Sequence, residues 1–444
     1  MVVSLFQSVL GLLAGISLII LLTARYKLHA FFALLMAAVL AGLIFQLPFT
    51  EILGTIKTGF GQIIGSLGLL IILGTTLGLI LEHTGSTTVL AGYVLQKIGS
   101  SRSALAVNII GYIVGMPIFC DSGFIVLSGL NKAMARRSGI SLMVMASSLA
   151  TGLYAVHCMM PPHPGITAAT GTIHTDIGKV MLYGLLIAIP AAFCGYLWSA
   201  RAGKRISAPV IQEEVITAPA RQLPTVWQAM LPVAIPVLLI ALRSFFTLDK
   251  AADTWLIKIL NIAGIPEVAI TAGIALALLA GNRQGSAALR KILPEGAEKA
   301  AGILVIIGGG SAFGAILTKA DIGHHIAQNP AITGMGLLLP FLITAILKTA
   351  QGSSTVAIIT AASIVQPLLL SLGLDTENGR ILCTLAMGAG SMLISHTNDA
   401  YFWVIARFSG LEVKDMLRVY TVSTIFMGIT AMAAVYLISL LINT

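Results

Sequence analysis

The sequence predicts an all-α polytopic membrane protein built from two inverted repeats of five spans, each with a re-entrant hairpin and a broken helix. Three observations lead there. Of 444 residues, 57% are hydrophobic and only 10% are charged, too few charges to coat a soluble surface. Apolar runs recur near the roughly 20 residues that a helix needs to cross about 30 Å of hydrocarbon. The same order of segments then occurs twice, once in each half. The formal charge of +9 is explained by Lys and Arg in the loops that orient spans during insertion. A nucleic-acid partner is therefore excluded, and the lipid bilayer is the implied surroundings.

Each element follows in order. No Lys or Arg precedes Ser4 and no small-residue cleavage site ends the first apolar run, so residues 4–23 are expected to stay as a span. Spans 30–47 and 61–82 come next. Residues 103–135 form two apolar arms interrupted by Asp121-Ser122-Gly123; arms of about 15 residues cannot cross the bilayer, which predicts a hairpin with a polar tip at depth. The span 140–170 is broken where Pro161, Pro162 and Pro164 remove backbone donors. The span 177–199 closes the half, and 200–227 is a polar, cytoplasmic linker. The second half repeats the order: spans 228–247, 262–281 and 299–318, a hairpin 333–371 interrupted at 351–354, a span 380–409 broken at 395–399, and a last span 416–441.

The domains are thus a first repeat 1–199, the linker, and a second repeat 228–444. Ser122 precedes Pro161 by 39 residues and Ser354 precedes His396 by 42, so the tip-to-break spacing also recurs. Five crossings per half is an odd number, which inverts the second half relative to the first. With both termini outside, 18 of the 26 basic residues fall on the cytoplasmic side, the bias expected of a correctly oriented chain. Cys120, Cys158, Cys194 and Cys383 lie far apart in apolar segments, so neither disulfides nor a structural metal site is expected.

Ionisable groups at membrane depth are expensive and mark function by default. Here they are Asp121, His157, His163, Lys348, His396 and Asp399, all near a hairpin tip or a helix break. Asp121 and Asp399 are the candidates for proton coupling, because a buried carboxylate without a fixed cation takes up a proton readily. The alternative is that each carboxylate holds its break in shape by accepting from freed backbone donors. Gly352, Ser353, Ser354 and Thr355 open a helix arm, offering free N–H groups and hydroxyls to an anion. Lys348, one turn earlier, either adds a cation or snorkels toward the interface. Ser122, Gly123, His157, His396 and Asn398 complete the expected substrate site. His163 is expected to donate to a freed carbonyl, and Gly308-Gly309-Gly310 to permit close packing, since no phosphate-loop Lys follows. No role is assigned to His324-His325.

Four runs carry a resemblance: residues 115–124 (GMPIFCDSGF), 157–165 (HCMMPPHPG), 352–357 (GSSTVA) and 395–403 (SHTNDAYFW). They resemble the gluconate permease family of bacterial sugar-acid:proton symporters over nearly the whole chain. The resemblance implies an inner-membrane secondary transporter of the ion-transporter architecture, a dimer with scaffold and transport subdomains and no cofactor. The chain departs from that pattern at Asp121-Ser122, where a Glu is usual, at Lys348, where an Arg is usual, and at Ala400-Tyr401, where Pro-Gly is usual. A shorter carboxylate and a bulky Tyr401 would suit a smaller hydroxy acid.

The expected function is proton-coupled uptake of a small sugar acid or hydroxycarboxylate such as gluconate or glycerate. The alternatives are a D-serine or other amino-acid carrier and a sodium-coupled carboxylate carrier of the same fold, since unwound carbonyls with Asn398 and Ser hydroxyls suit Na⁺. An intramembrane hydrolase using the histidines is remote, because HExxH and GxSxG are both absent. The chain is not expected to be an enzyme.

Overall fold

A computed structural model describes residues 4–98, 102–206, 223–246, 255–281, 286–319, 334–397 and 399–442. In the first half the helices are α1 (Leu5–Ile20), α2 (Ala30–Ile44), α3 (Phe49–His83), α4 (Ser86–Ile98), α5 (Ser103–Gly115), α6 (Cys120–Ser138), α7 (Leu142–Met159), α8 (Pro164–Ile173) and α9 (Ile177–Ala202). The second half contains α10 (Val226–Phe246), α11 (Trp255–Ala263), α12 (Pro266–Gly281), α13 (Ser286–Lys319), α14 (Leu338–Gln351), α15 (Ser354–Val365), α16 (Glu377–Met392), α17 (Ala400–Ser409) and α18 (Val422–Leu441). No strand occurs among the described residues.

By length and composition, 7 described helices are able to cross a membrane, or 8 if α11 and α12, bent by 75°, form one span. The two remaining expected spans are α2, which is 15 residues long, and the pair α16–α17, whose helices are 16 and 10 residues long and separated by the break. The helix α4 lies between the expected span 61–82 and the first hairpin, where the sequence predicts no element; at 13 residues it is too short to cross the bilayer. The expected span 61–82 starts too late, because α3 runs 35 residues and its first turns include Glu51, Gly54 and Lys57, which dilute their hydropathy. The same holds for 299–318, since α13 runs 34 residues through Pro294.

The first hairpin also differs from expectation in its turn. The arms α5 and α6 meet at residues 116–119, and Asp121-Ser122-Gly123 form the first turn of α6 rather than the interruption. Pro117 cannot continue α5, and Phe119 is extended at the N-cap. In the second hairpin the turn falls where the sequence places it. Gly352 ends α14 with φ of 81°, a conformation that costs other residues a Cβ clash, and the Ser353 hydroxyl accepts from the Val356 N–H at 3.3 Å.

Two groups of helices result. The long α3 and α13 pack along each other, with α2 on α13 and α12 on α3. The hairpins and broken helices pack in matched pairs: α5 on α7 and α14 on α16, then α6 on α17 and α8 on α15. Glycines allow these approaches. A Cβ on Gly152 would sit 2.1 Å from the Asn108 carbonyl oxygen of α5, and one on Gly390 would sit 2.2 Å from that of Phe341 in α14. The Gly308-Gly309-Gly310 run packs as expected, with Phe60, Phe31 and Ile359 filling the space a Cβ would need.

Candidate functional site

Four chain interruptions converge. At one side the starts of α8 and α15 touch: a Cβ on Gly165 would sit 3.0 Å from the Thr355 Cα. At the other, Phe124 of α6 meets Tyr401 of α17 edge-on, with ring centroids 6.2 Å apart. The first hairpin is tied to the first break by His163, whose Nε2 donates to the Gly115 carbonyl at 2.7 Å. This is the role expected for His163. The second break is tied to α7 by Tyr401, whose hydroxyl donates to the Ala150 carbonyl at 3.2 Å, and α7 to α16 by the Tyr154 hydroxyl on the Ser391 carbonyl at 3.0 Å.

A break within hydrocarbon leaves backbone groups that must be satisfied by protein. At the second break α18 and the turn before it do this. Thr424 Oγ1 accepts from the Ser395 N–H at 3.1 Å, and Thr421 Oγ1 donates to the Ser395 carbonyl at 2.6 Å. Ile394 is held at φ of 51°, an outlier for a β-branched residue and the kind of strain that clusters at binding sites.

The charges are arranged differently from the expected cation site. Lys348 is fully buried, so it does not snorkel. Its Nζ donates to Asp399 Oδ2 at 2.6 Å and to the Gly352 carbonyl at 3.2 Å. Asp399 accepts in addition from the Ser395 hydroxyl and, at the N-cap of α17, from the Tyr401 N–H at 3.0 Å. Lys348 and Asp399 thus neutralise each other, and both carry supporting hydrogen bonds, which a buried pair requires. Asp121 is different. It is half-buried, close enough to Lys348 and Asp399 to feel both charges, and its Oδ1 is buried without a hydrogen-bond partner.

The other expected residues divide. His157 is buried with Nδ1 unpartnered, its ring parallel to Tyr154 and 4.8 Å from His163. Ser354 is buried at the start of α15, and Ser122 is half-buried on α6. Gly123 serves packing, since a Cβ there would sit 2.8 Å from Leu153. His396 Nε2 donates to the Thr349 carbonyl at 3.1 Å, joining the second break to the second hairpin. Asn398 and His324-His325 lie outside the described residues. Sequence reasoning missed Ser395, Tyr154 and Gln351 as members of the cluster. Ser395 had a signal in its polar run, whereas Tyr154 sits in an apolar helix and had none.

A cavity of about 890 Å³ opens between α3, α13 and the far ends of α8 and α15, lined by Glu51, Thr58, Gln62, His174, Thr318 and Lys319 among others.

Interrupted helices around a buried polar cluster, in a chain with seven described helices able to cross a membrane, define a multi-pass membrane transporter. Residues 7–441 match the family model described as GntP family permease, and the chain belongs to that family. It is 34% identical to the "Gluconate permease" of Pseudomonas aeruginosa, covering 97% of each chain, and 31% identical to the "Gluconate permease" of Zymomonas mobilis, covering 95% of each. The "D-serine transporter DsdX" of Escherichia coli (strain K12) is 29% identical, over 97% of this chain and 98% of that one. The crystal structure of the Alcanivorax borkumensis YdaH transporter superposes with a TM-score of 0.62 at 17% identity, covering 88% of each chain, which establishes a shared fold.

Proposed function

We propose that this permease takes up a small sugar acid or hydroxycarboxylate, such as gluconate or glycerate, together with protons across a bacterial inner membrane. The observation that carries the reading is the Asp121 carboxylate, with a buried oxygen that no described group satisfies, beside a Lys348–Asp399 pair that has no net charge. An anionic substrate entering here meets the N-terminal ends of α6 and α15, which favour it, and Asp121, which repels it while ionised. Protonation of Asp121 removes the repulsion. By linkage, substrate then favours proton uptake and the proton favours substrate. Asp399 joins the coupling when substrate draws Lys348 away from it. Ser122, His157, Ser353, Ser354, Thr355 and His396 line the proposed substrate site, and Asn398 belongs to it by sequence.

Transport would proceed by movement of the hairpins and broken helices against α3 and α13. We also propose that the halves are inverted repeats with both termini periplasmic and that the protein is a homodimer. Inversion is supported by Arg380 near the start of α16, which donates to the carbonyls of Ile173 and His174 at the end of α8. The second broken helix thus enters where the first one leaves. A D-serine carrier is the second reading, favoured by the DsdX likeness and by an unpartnered carboxylate suited to an ammonium group. Sodium is the alternative coupling ion.

The test is uptake into proteoliposomes under an imposed inward gradient of protons or of sodium, with gluconate, glycerate and D-serine compared. Accumulation of a hydroxy acid driven by protons alone is expected, and Asp121→Asn should keep exchange while losing that accumulation. Accumulation by Asp121→Asn equal to wild type would remove Asp121 from the coupling.

A further inference from the structure

Hydrogen-bonding capacity left unused inside a protein is informative, because a buried polar atom without a partner keeps the full cost of its lost hydration. Asp121 Oδ1, His157 Nδ1 and both amide atoms of Gln351 are in this state. They lie on the first turn of α6, in the last turn of α7 and at the end of α14. Three of the four interruptions therefore each contribute one unused polar group.

Gln351 is the extreme case. The residue as a whole is only half-buried, yet its Oε1 and Nε2 are both shut off from solvent and unpaired, so the amide head points inward. Its neighbours on the same tip are already committed: the Gly352 carbonyl accepts from Lys348, and the Ser353 hydroxyl accepts from the Val356 N–H. Three residues on, Ser354 is buried, and Thr355 touches the start of α8. The uncommitted amide thus belongs to the tip that closes on the first break.

An amide offers a donor and an acceptor together. A substrate carboxylate would use only its N–H₂ and face its oxygen with like charge, and an ammonium would use only its oxygen. An alcohol hydroxyl, which donates and accepts at once, uses both. We propose that Gln351 is a specificity-determining residue that reads a hydroxyl of the transported acid. This rests on the hydroxycarboxylate reading above and adds to it the group that selects a hydroxylated acid over its deoxy analogue.

The test compares wild type, Gln351→Met and Gln351→Glu in proteoliposomes, with glycerate against lactate and 3-hydroxypropionate, and gluconate against 2-deoxygluconate. Wild type is expected to prefer the hydroxylated acid of at least one pair by roughly ten- to a hundredfold in KM. Gln351→Met should bring that preference to within about twofold while still transporting the deoxy acid. Gln351→Glu, with the donor gone, should lose the hydroxylated acid selectively. A second readout needs no transport. Replacing an unsatisfied amide with an apolar chain of similar length should raise the thermal midpoint of substrate-free protein and shrink the shift that glycerate or gluconate produces. An unchanged preference in both variants, or a lowered midpoint or failure to fold in Gln351→Met, overturns the assignment and makes Gln351 a structural residue. Wild type that takes up none of these acids overturns the substrate reading itself, whereas wild type that does so with variants equally selective overturns Gln351 alone.

Discussion

Asp399 performs two structural tasks at once, as the N-cap of α17 and as the counter-charge of a fully buried Lys348. Removing one member of a buried pair leaves the other uncompensated, which costs about 3 to 5 kcal/mol. Asp399→Asn keeps the cap but strands the ammonium, so it should lower the thermal midpoint of purified protein sharply. Lys348→Met with Asp399→Asn removes both charges and should recover most of the loss. A double variant no more stable than Asp399→Asn alone would mean that the pair is not the source. The sequence marked both residues by their depth, but not their pairing. They are 51 positions apart, and a lysine near an arm's end satisfies burial by snorkelling as readily as by pairing. Gln351 was harder still, since an amide carries no charge and stands out only when its hydrogen bonds are counted in space.

Breaks and tips were legible as elements because Pro and Gly act locally. Pro161, Pro162 and Gly352 fixed their interruptions without help from the rest of the chain. At the first tip, polarity and interruption do not coincide. Asp121 and Ser122 are polar but helical, since an acidic residue in a first turn complements the N-terminal dipole, and the true stop is the less conspicuous Pro117. The long glycine-lined seams were equally hidden, because which carbonyl faces a glycine depends on register between helices. At Gly152 a Cβ would fall 2.1 Å from the Asn108 carbonyl oxygen. Asn108 is also the residue whose amide joins α5 to α7 and α9, by bonds of 3.0 to 3.3 Å. Gly152→Ala should therefore force α5 from α7 and cost about 1 to 3 kcal/mol, as overpacking does. Gly54→Ala, also inside a helix but with nothing within 4 Å of the new Cβ, is the matched control and should leave the midpoint unchanged or slightly raised by helix propensity; equal midpoints for the two variants would show that the α5–α7 seam yields freely.

At the scale of the whole chain, the recurring order of spans, hairpin and broken helix was readable because each member has its own length and composition. The α3–α13 packing was not, since nothing in either sequence names its partner. The proposed inversion makes a geometric claim that can be checked from outside the bilayer. The Ser141 hydroxyl donates to the Ile206 carbonyl at 3.0 Å, so the start of α7 lies with the end of α9. Lys179 pairs with Glu377, and the Asn378 amide donates to the Ile442 carbonyl at 2.7 Å. The starts of α9 and α16 and the end of α18 therefore share one face. A helix of 26 residues such as α9 spans roughly 39 Å at 1.5 Å per residue, enough to hold these two groups on opposite sides of the membrane. Arg201 in the last turn of α9 and Lys204 just after it lie at the first face, and the proposed orientation puts this face on the cytoplasmic side, where positive charge accumulates. With the four native cysteines replaced by serine or alanine, Lys204→Cys should react with an impermeant thiol reagent only in inside-out vesicles and Glu377→Cys only in right-side-out cells. Reaction of both from the same side would break the inversion and with it the ten-span topology, and reaction of each from the side opposite to that expected would keep the inversion and reverse the orientation.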